Sequence, residues 1–160
     1  MKKMGFFRKE KVWDEERNQA NKEKMRLLFN QVVEDSEGYH IVYGISQKVK
    51  TSNYILARKT TYLFTSLIIG FRESDMSIIL IQTTPELDGC SDPEKFTMNH
   101  LKKAKIVQGQ FVLYYEGGIM AGYTDFCIMD SFDEDYTVYI HQPEEAAQFD
   151  VFWPAFLASK

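Results

Sequence analysis

Hydrophobic and polar positions divide the chain into three zones. Residues 12–34 contain neither Gly nor Pro, and their apolar side chains recur at helical spacing, which predicts an amphipathic helix. Those side chains are Met25, Leu28, Phe29 and Val32. Residues 39–141 show mostly the alternation and turn signals of β-strands, and an apolar face of helical period predicts a helix over residues 143–158. This order of elements predicts an α+β domain, mainly antiparallel β, rather than an alternating α/β fold.

The middle zone predicts about six or seven mainly antiparallel strands. They are expected at residues 39–49, 54–71, 76–83, 106–115, 119–129 and 136–141, with turns at 51–53, 73–75, 116–118 and 130–135. Because residues 54–71 exceed the length of a typical strand, we expect a break or bend at 58–61. Asp92 can cap a helix that begins with Pro93, which predicts a short helical insert near residues 92–103. Pro154 lacks a backbone donor and predicts a kink or an early end of the C-terminal helix.

The length of 160 residues fits one domain with one hydrophobic core. We assign residues 1–36 to a basic tail and a charged helix, and residues 37–160 to a single β domain with its C-terminal helix. The apolar stretch near the N-terminus ends after four residues, and no other run approaches the roughly 20 that a spanning helix needs. Cys90 and Cys127 are too few for a disulfide framework. We therefore expect a cytoplasmic protein with reduced thiols.

The net charge of −4 argues against a dedicated nucleic-acid binder, which would usually be basic. The negative charge is concentrated in residues 116–160, which contain one Lys and nine Asp or Glu. Two interpretations stay open: solvated loops with a helix start, or an acidic surface that binds a basic partner. For the second interpretation, the expected contact residues are Asp130, Asp133, Glu134, Asp135, Glu144 and Glu145.

The order of elements also carries a family resemblance. About seven antiparallel strands, followed by a helix with its apolar face between residues 149 and 157, resemble the pleckstrin-homology-like (PH-like) barrel of small bacterial proteins. The resemblance covers about residues 38–158 and implies a curved sheet or barrel capped by the C-terminal helix. Because lipid-binding pleckstrin domains place basic residues in and beside the first hairpin, it also implies a site for an anionic ligand. The matching residues are Lys48, Lys50, Arg58 and Lys59, which could instead only protect exposed strand ends. Rival folds are a cystatin-like sheet around a helix and an open sandwich.

No group of residues has the spacing of a catalytic or metal centre. The three histidines lie at no zinc-binding spacing with each other or with a Cys, and the acidic run at 130–135 lacks the glycine and distal Glu of a calcium loop. We therefore expect no cofactor and no metal ion. An enzyme or a ligand carrier would need a site inside the curved sheet. Candidate side chains there are His40, Tyr43, Tyr114, Tyr115, Tyr123 and His141.

These patterns favour a non-enzymatic binding domain that acts through protein–protein contact or self-association. The N-terminal segment mixes Lys and Arg with Phe6, Phe7 and Trp13, which adds a candidate contact with an anionic membrane surface. Two alternatives stay open: a small-ligand carrier or enzyme with a site inside the sheet, and an acidic neutralising partner similar to a toxin-immunity protein. Binding that weakens sharply with salt would favour the last alternative.

Overall fold

The computed structural model describes residues 12–53, 58–117 and 122–160, with side chains for all of these except 48–53 and 58–62. The elements are α1 (Glu15–Val32), β1 (His40–Asn53), β2 (Arg58–Arg72), β3 (Ser77–Thr83), β4 (Glu94–Phe96), a 3-10 turn (Met98–His100), β5 (Leu101–Val107), β6 (Gln110–Tyr115), β7 (Tyr123–Phe126), β8 (Ser131–Phe132), β9 (Ile140–His141) and α2 (Pro143–Leu157). The described chain is therefore α+β, with a helix near each end and antiparallel strands between them.

The strands form a four-stranded sheet of order β1-β2-β3-β4, a three-stranded sheet of order β5-β6-β7, and the short β8–β9 pair. One backbone bridge joins the two larger sheets: the Ile45 amide donates to the Cys127 carbonyl at 3.0 Å, and the Cys127 amide donates to the Ile45 carbonyl at 2.8 Å. Strand β1 therefore has β2 along one edge and the end of β7 at the other. The described residues of β4 and β5 do not pair through backbone hydrogen bonds, so the two larger sheets do not close into a barrel at these strands.

The hairpin of β1 and β2 is longer than the sequence predicts. Its register runs from His40 opposite Phe71 to Asn53 opposite Arg58, while β3 pairs only with residues 66–72. The turn expected at 51–53 and the bend expected at 58–61 are therefore wrong, because both segments lie inside paired strands. Hydrogen bonds between β1 and β2 satisfy the backbone of both strands beyond the residues that pair with β3. The hairpin can therefore extend past the rest of the four-stranded sheet.

The main core lies between the inner face of the four-stranded sheet, the three-stranded sheet and α2. The helix begins at Pro143, a favoured first position, and buries four aromatic side chains. They are Phe149, Phe152, Trp153 and Phe156. The Phe149 ring lies 5.2 Å from that of Phe71 and 4.9 Å from that of Phe111, centroid to centroid. Burial of each ring stabilises the fold by about 1.5–3 kcal/mol, so α2 holds the two sheets together.

The opposite face of the four-stranded sheet is covered by α1 and the segment that contains β8 and β9. Asp14 caps α1 by accepting a hydrogen bond from the Arg17 amide at 3.0 Å, and Met25 and Phe29 of the helix are buried against the sheet. Phe29 lies over Gly70, where an added Cβ would be only 2.6 Å from Cζ of the ring. The helix expected over residues 12–34 is thus confirmed, and it packs on its own domain.

The helical insert expected near residues 92–103 is wrong. Residues Glu94–Phe96 form β4, which pairs with β3, and only Met98–His100 form a 3-10 turn before β5 begins. The Lys95 ammonium lies 3.1 Å from a carboxylate oxygen of Asp75. Pairing along the free edge of β3 supplies backbone partners that a short solvent-exposed helix would obtain only from itself.

Five other boundaries differ from the prediction. Gln108 and Gly109 have positive φ (51° and 80°) and form a two-residue turn, which divides the expected strand 106–115 between β5 and β6. Among the described residues of the expected strand 119–129, β7 covers Tyr123–Phe126, while residues 119–121 lie outside the described part of the chain. The last strand contains only Ile140–His141, because Thr137 and Glu134 bond to each other in a turn. Ser131–Phe132 of the expected acidic turn form β8, and α2 continues through Pro154 to Leu157 instead of ending there.

Candidate functional site

The two larger sheets leave a cleft of about 710 Å³ between them. Its lining from the four-stranded sheet consists of three cross-strand pairs and one neighbouring side chain. The pairs are Ser46–Thr65, Leu67–Gln82 and Leu80–Glu94, and the neighbour is Gln47. The six paired residues lie on the same face of the sheet as the main core, because that face recurs at every second residue.

This shared face changes from apolar to polar along three neighbouring strands. In β1 it proceeds from Val42 through Gly44 to Ser46, and β2 and β3 make the same change and reach Thr65 and Gln82. The apolar end packs against α2, and the polar end lines the cleft. On the side of the four-stranded sheet, the cleft therefore continues the core-facing surface with side chains suited to a polar ligand.

The three-stranded sheet contributes alternate residues of β6, three consecutive residues of β7, and Val107 and Gln108 at the β5–β6 turn. Val112 and Tyr114 line the cleft, whereas the residues that alternate with them, Phe111 and Leu113, are buried in the main core. Tyr123 is opposite Tyr114, with ring centroids 5.8 Å apart, and is 60% exposed. The cleft thus contains an accessible aromatic surface beside its polar side chains.

The charged side chains that line the cleft among the described residues are both carboxylates, Glu94 and Asp125. Asp125 accepts a hydrogen bond from the Ser46 hydroxyl at 3.2 Å. Burial, and then the charge of Glu94, raise the pKa of Tyr115. Lys103 and Lys105 are near the Tyr114 ring, with their ammonium groups 5.0 and 5.6 Å from its centroid, but do not line the cleft. The described part of its lining is therefore negatively charged.

The surroundings of both thiols favour the protonated form. Burial raises the pKa of both Cys90 and Cys127, and for Cys90 the charge of Asp92 adds to the effect. A raised pKa keeps a thiol protonated at neutral pH, whereas the thiolate is the reactive form. Among the described residues, no group of three or more His, Cys, Asp or Glu is placed to hold a metal ion.

The side chains proposed for a site inside the sheet do not come together. Tyr43 is buried on the face covered by α1, where its hydroxyl bonds to Ser66 at 2.6 Å and accepts from the Val138 amide at 3.1 Å. His40 is exposed, with Nε2 3.4 Å from a Glu73 oxygen, and His141 stacks on Trp13. Tyr115 hydrogen-bonds to Thr124 and stacks on Phe96. Of the six candidates, Tyr114 and Tyr123 line the cleft.

The acidic residues proposed as a partner surface lie in two adjacent segments. The Gln142 amide, just before α2, donates to the Asp130 carbonyl at 2.7 Å, which holds the start of the helix next to the acidic segment. Asp130, Asp133, Glu134, Asp135 and Glu144 are exposed. Glu145 is half-buried and forms an ion pair with Lys22 at 2.7 Å. Their role in partner binding stays a prediction.

The basic residues proposed for an anionic ligand lie in the outer half of the first hairpin. Lys48 is opposite Leu63 and Lys50 is opposite Thr61 in the backbone register, while Lys59 and Arg58 are opposite residues 52 and 53. Their side chains lie outside the described residues, as does the whole N-terminal segment 1–11. Both the anionic-ligand site and the membrane contact therefore stay predictions.

Sequence reasoning missed Gln82, Glu94 and Asp125 as residues of one site. A signal was present for Gln82, since it continues the alternation of Ile78 and Leu80 with a polar side chain. Glu94 was not recognised as a cleft residue, because the sequence predicted a helix at this position instead of strand β4. Asp125 reaches the cleft through the bridge between β1 and the end of β7, which joins residues far apart in sequence.

No helix in the described part of the chain is long and apolar enough to span a membrane. Comparison of the chain with protein-family models, with curated proteins and with solved structures gave no significant match.

Proposed function

We propose that this chain is a non-enzymatic binding domain of PH-like architecture, which holds a basic segment of a partner protein in the cleft between its sheets. Strand order and helix placement support the architecture. Through the Ile45–Cys127 bridge the strands follow the order β5-β6-β7-β1-β2-β3-β4, and the C-terminal helix packs across the inner face. Seven antiparallel strands and a C-terminal helix are the order of elements on which the PH-like resemblance rests, and the β8–β9 pair is an addition before the helix.

The charge of the cleft is the observation that carries the proposed function. A volume of about 710 Å³ accommodates several side chains of a bound segment, and Glu94 and Asp125 are its charged groups among the described lining residues. Such a cleft attracts cations and repels acidic segments, which gives both affinity and selectivity. The exposed Tyr123 ring adds a surface on which a Lys or Arg can pack by cation–π attraction.

The overall charge of the chain agrees with a basic partner. The C-terminal part of the chain, residues 116–160, contains one Lys and nine Asp or Glu, and the whole chain has a net charge of −4. A field of this sign accelerates the approach of a basic protein and weakens as salt is added.

The test is a titration of the isotope-labelled full chain with a short peptide of alternating Lys and Ser, followed by NMR. Peptides in which Glu or Gln replaces Lys serve as comparison. We expect the Lys peptide alone to shift the amide signals of cleft residues, and we expect binding to weaken as salt increases.

Two substitutions assign the effect to the cleft. Glu94→Gln and Asp125→Asn should each weaken binding about two- to fivefold, as expected for single partly exposed charge pairs. Glu86→Gln and Asp150→Asn remove exposed carboxylates that do not line the cleft, and they should leave binding unchanged. Equal binding of the Glu peptide, or equal losses in all four variants, would refute a cleft selective for basic segments.

A further inference from the structure

A second pocket, of about 260 Å³, lies where α1, the start of β1 and the beginning of α2 meet. We name it the α1–α2 pocket. Lys22 and Arg26 from α1, His40 from β1, and Glu145 and Gln148 from α2 contribute its polar lining together with Gln142. The pocket lining thus contains two cationic side chains, Lys22 and Arg26, and one carboxylate, Glu145, although the chain as a whole is acidic. No residue is shared with the lining of the cleft.

Arg26 is the group in this pocket that lacks a counter-charge. Its Nη2 donates to the Tyr39 carbonyl oxygen at 2.7 Å, and the guanidinium lies 6.0 Å from the centre of the Phe29 ring. A guanidinium has five N–H donors, yet no carboxylate pairs with this one among the described residues. Burial lowers the pKa of Arg26, so the cation has lost water without gaining an anion.

The nearby Lys22 adds a second positive charge, which makes binding of an anion in the pocket more favourable. Lys22 precedes Arg26 by four residues on α1, a spacing at which like charges repel. The Lys22 ammonium lies 2.7 Å from a carboxylate oxygen of Glu145, and Arg26 forms no ion pair with that carboxylate. Nε2 of His40 is 3.4 Å from Glu73, and its ring is nearly half exposed, so it can also turn toward an oxygen in the pocket.

We propose that the α1–α2 pocket binds a small oxyanion, either free phosphate or the phosphate group of a small metabolite. The planar fork of Arg26 matches two oxygens of such a group, and Lys22 can donate to a third. The ligand would connect α1 with α2 and the start of β1, so its binding should raise the stability of the fold. This inference does not depend on the function of the cleft.

The first experiment measures binding of inorganic phosphate to the full chain by calorimetry and by thermal unfolding, with sodium chloride adjusted to constant ionic strength. We expect a saturable rise in the melting temperature at millimolar phosphate. Arg26→Gln should weaken binding about tenfold or more, because a charge-assisted hydrogen bond is lost. Lys24→Gln, which removes an exposed cation of the same helix outside the pocket, should bind as the unchanged chain does.

A variant that binds phosphate more tightly provides an independent test, because a gain of affinity cannot result from loss of the folded structure. Glu145→Gln removes the one carboxylate of the pocket and releases Lys22, so phosphate should bind about two- to fivefold more tightly. Tighter binding of glycerol phosphate than of phosphate would assign the site to a metabolite, and equal or weaker binding would assign it to the free ion. The proposal is overturned if phosphate stabilises the Arg26→Gln variant as much as the unchanged chain, or if Glu145→Gln leaves its affinity unchanged.

Discussion

Gln142 is a buried polar residue on which three parts of the fold depend. Its side-chain oxygen accepts from the Tyr43 amide at 2.9 Å, and its side-chain nitrogen donates to the carbonyls of Tyr43 and Met129 at 2.8 and 2.9 Å. The side chain therefore replaces a neighbouring strand along this part of the edge of β1. Its backbone carbonyl also accepts from Ala146 in the first turn of α2. The substitution Gln142→Met preserves the shape and removes the polar atoms.

The magnitude follows from the groups that lose their partners. One amide and two carbonyls would be left without these bonds, and only 1% of the Gln142 surface is exposed, so water cannot easily replace the side chain. A lost hydrogen bond costs about 1 kcal/mol, and a buried unsatisfied group costs up to about 3 kcal/mol. We expect Gln142→Met to lower the free energy of unfolding by about 3–5 kcal/mol, a large part of the roughly 5–15 kcal/mol of a typical domain.

Urea denaturation, followed by circular dichroism and by tryptophan fluorescence, measures this loss. Gln31→Met is the matched control, because Gln31 is exposed on α1, and it should change the free energy of unfolding by less than about 0.5 kcal/mol. If Gln142→Met were as stable as the control, the side chain could not be supporting the edge of β1.

Two further predictions concern the contacts around the four-stranded sheet. Gly70→Ala should lower the free energy of unfolding by about 1–3 kcal/mol, because the new methyl group overlaps Phe29. Gly89→Ala is the control, since an added Cβ there meets nothing within 4 Å. Arg72 holds the pKa of Asp75 well below its usual range, so the stability due to ionised Asp75 is present above about pH 4 and declines as the pH falls further. The difference in unfolding free energy between the unchanged chain and Asp75→Asn should therefore shrink below about pH 4, and a constant difference in urea titrations would contradict this.

The helices were the most predictable elements. α1 begins three residues after the start expected for it and ends two residues early, and α2 begins at the expected Pro143 and ends one residue before 158. Their signals are local: a capping Asp14, an apolar stripe, and Pro143 at a first helical position. Pro154 did not end α2, because the aromatic side chains before and after it pack into the same core.

The strands were less predictable where their partners are distant in sequence. The expected helix near 92–103 had two local signals for a helix start, Asp92 and Pro93, yet β4 forms there because β3 offers a free edge. The turn at Gln108 and Gly109 was also missed, since alternating apolar residues continue on both sides of it. In the first case pairing energy outweighed local preference. In the second, Gly109 is itself a local turn signal, which the continuing apolar pattern obscured.

The candidate sites also contain some residues that local sequence signals identified and others that only the tertiary structure identified. Sequence reasoning proposed Tyr114 and Tyr123 as ligand-site residues, and both line the cleft. It did not propose Glu94 or Asp125, and it did not propose Arg26 as an anion-binding residue, because each acquires its role from the element packed against it. The acidic segment 130–135 was visible as a charge pattern, whereas its position beside α2 depends on the Gln142 bonds.

The sequence by itself determined the class of fold, the two helices and the faces they bury, because helix period and capping act over a few neighbouring residues. It also determined the acidic character of the C-terminal part. Only the tertiary structure decided the strand register, the bridge between Ile45 and Cys127, and the two pockets. These features depend on hydrogen bonds and packing between residues distant along the chain, for which the local pattern contains no information.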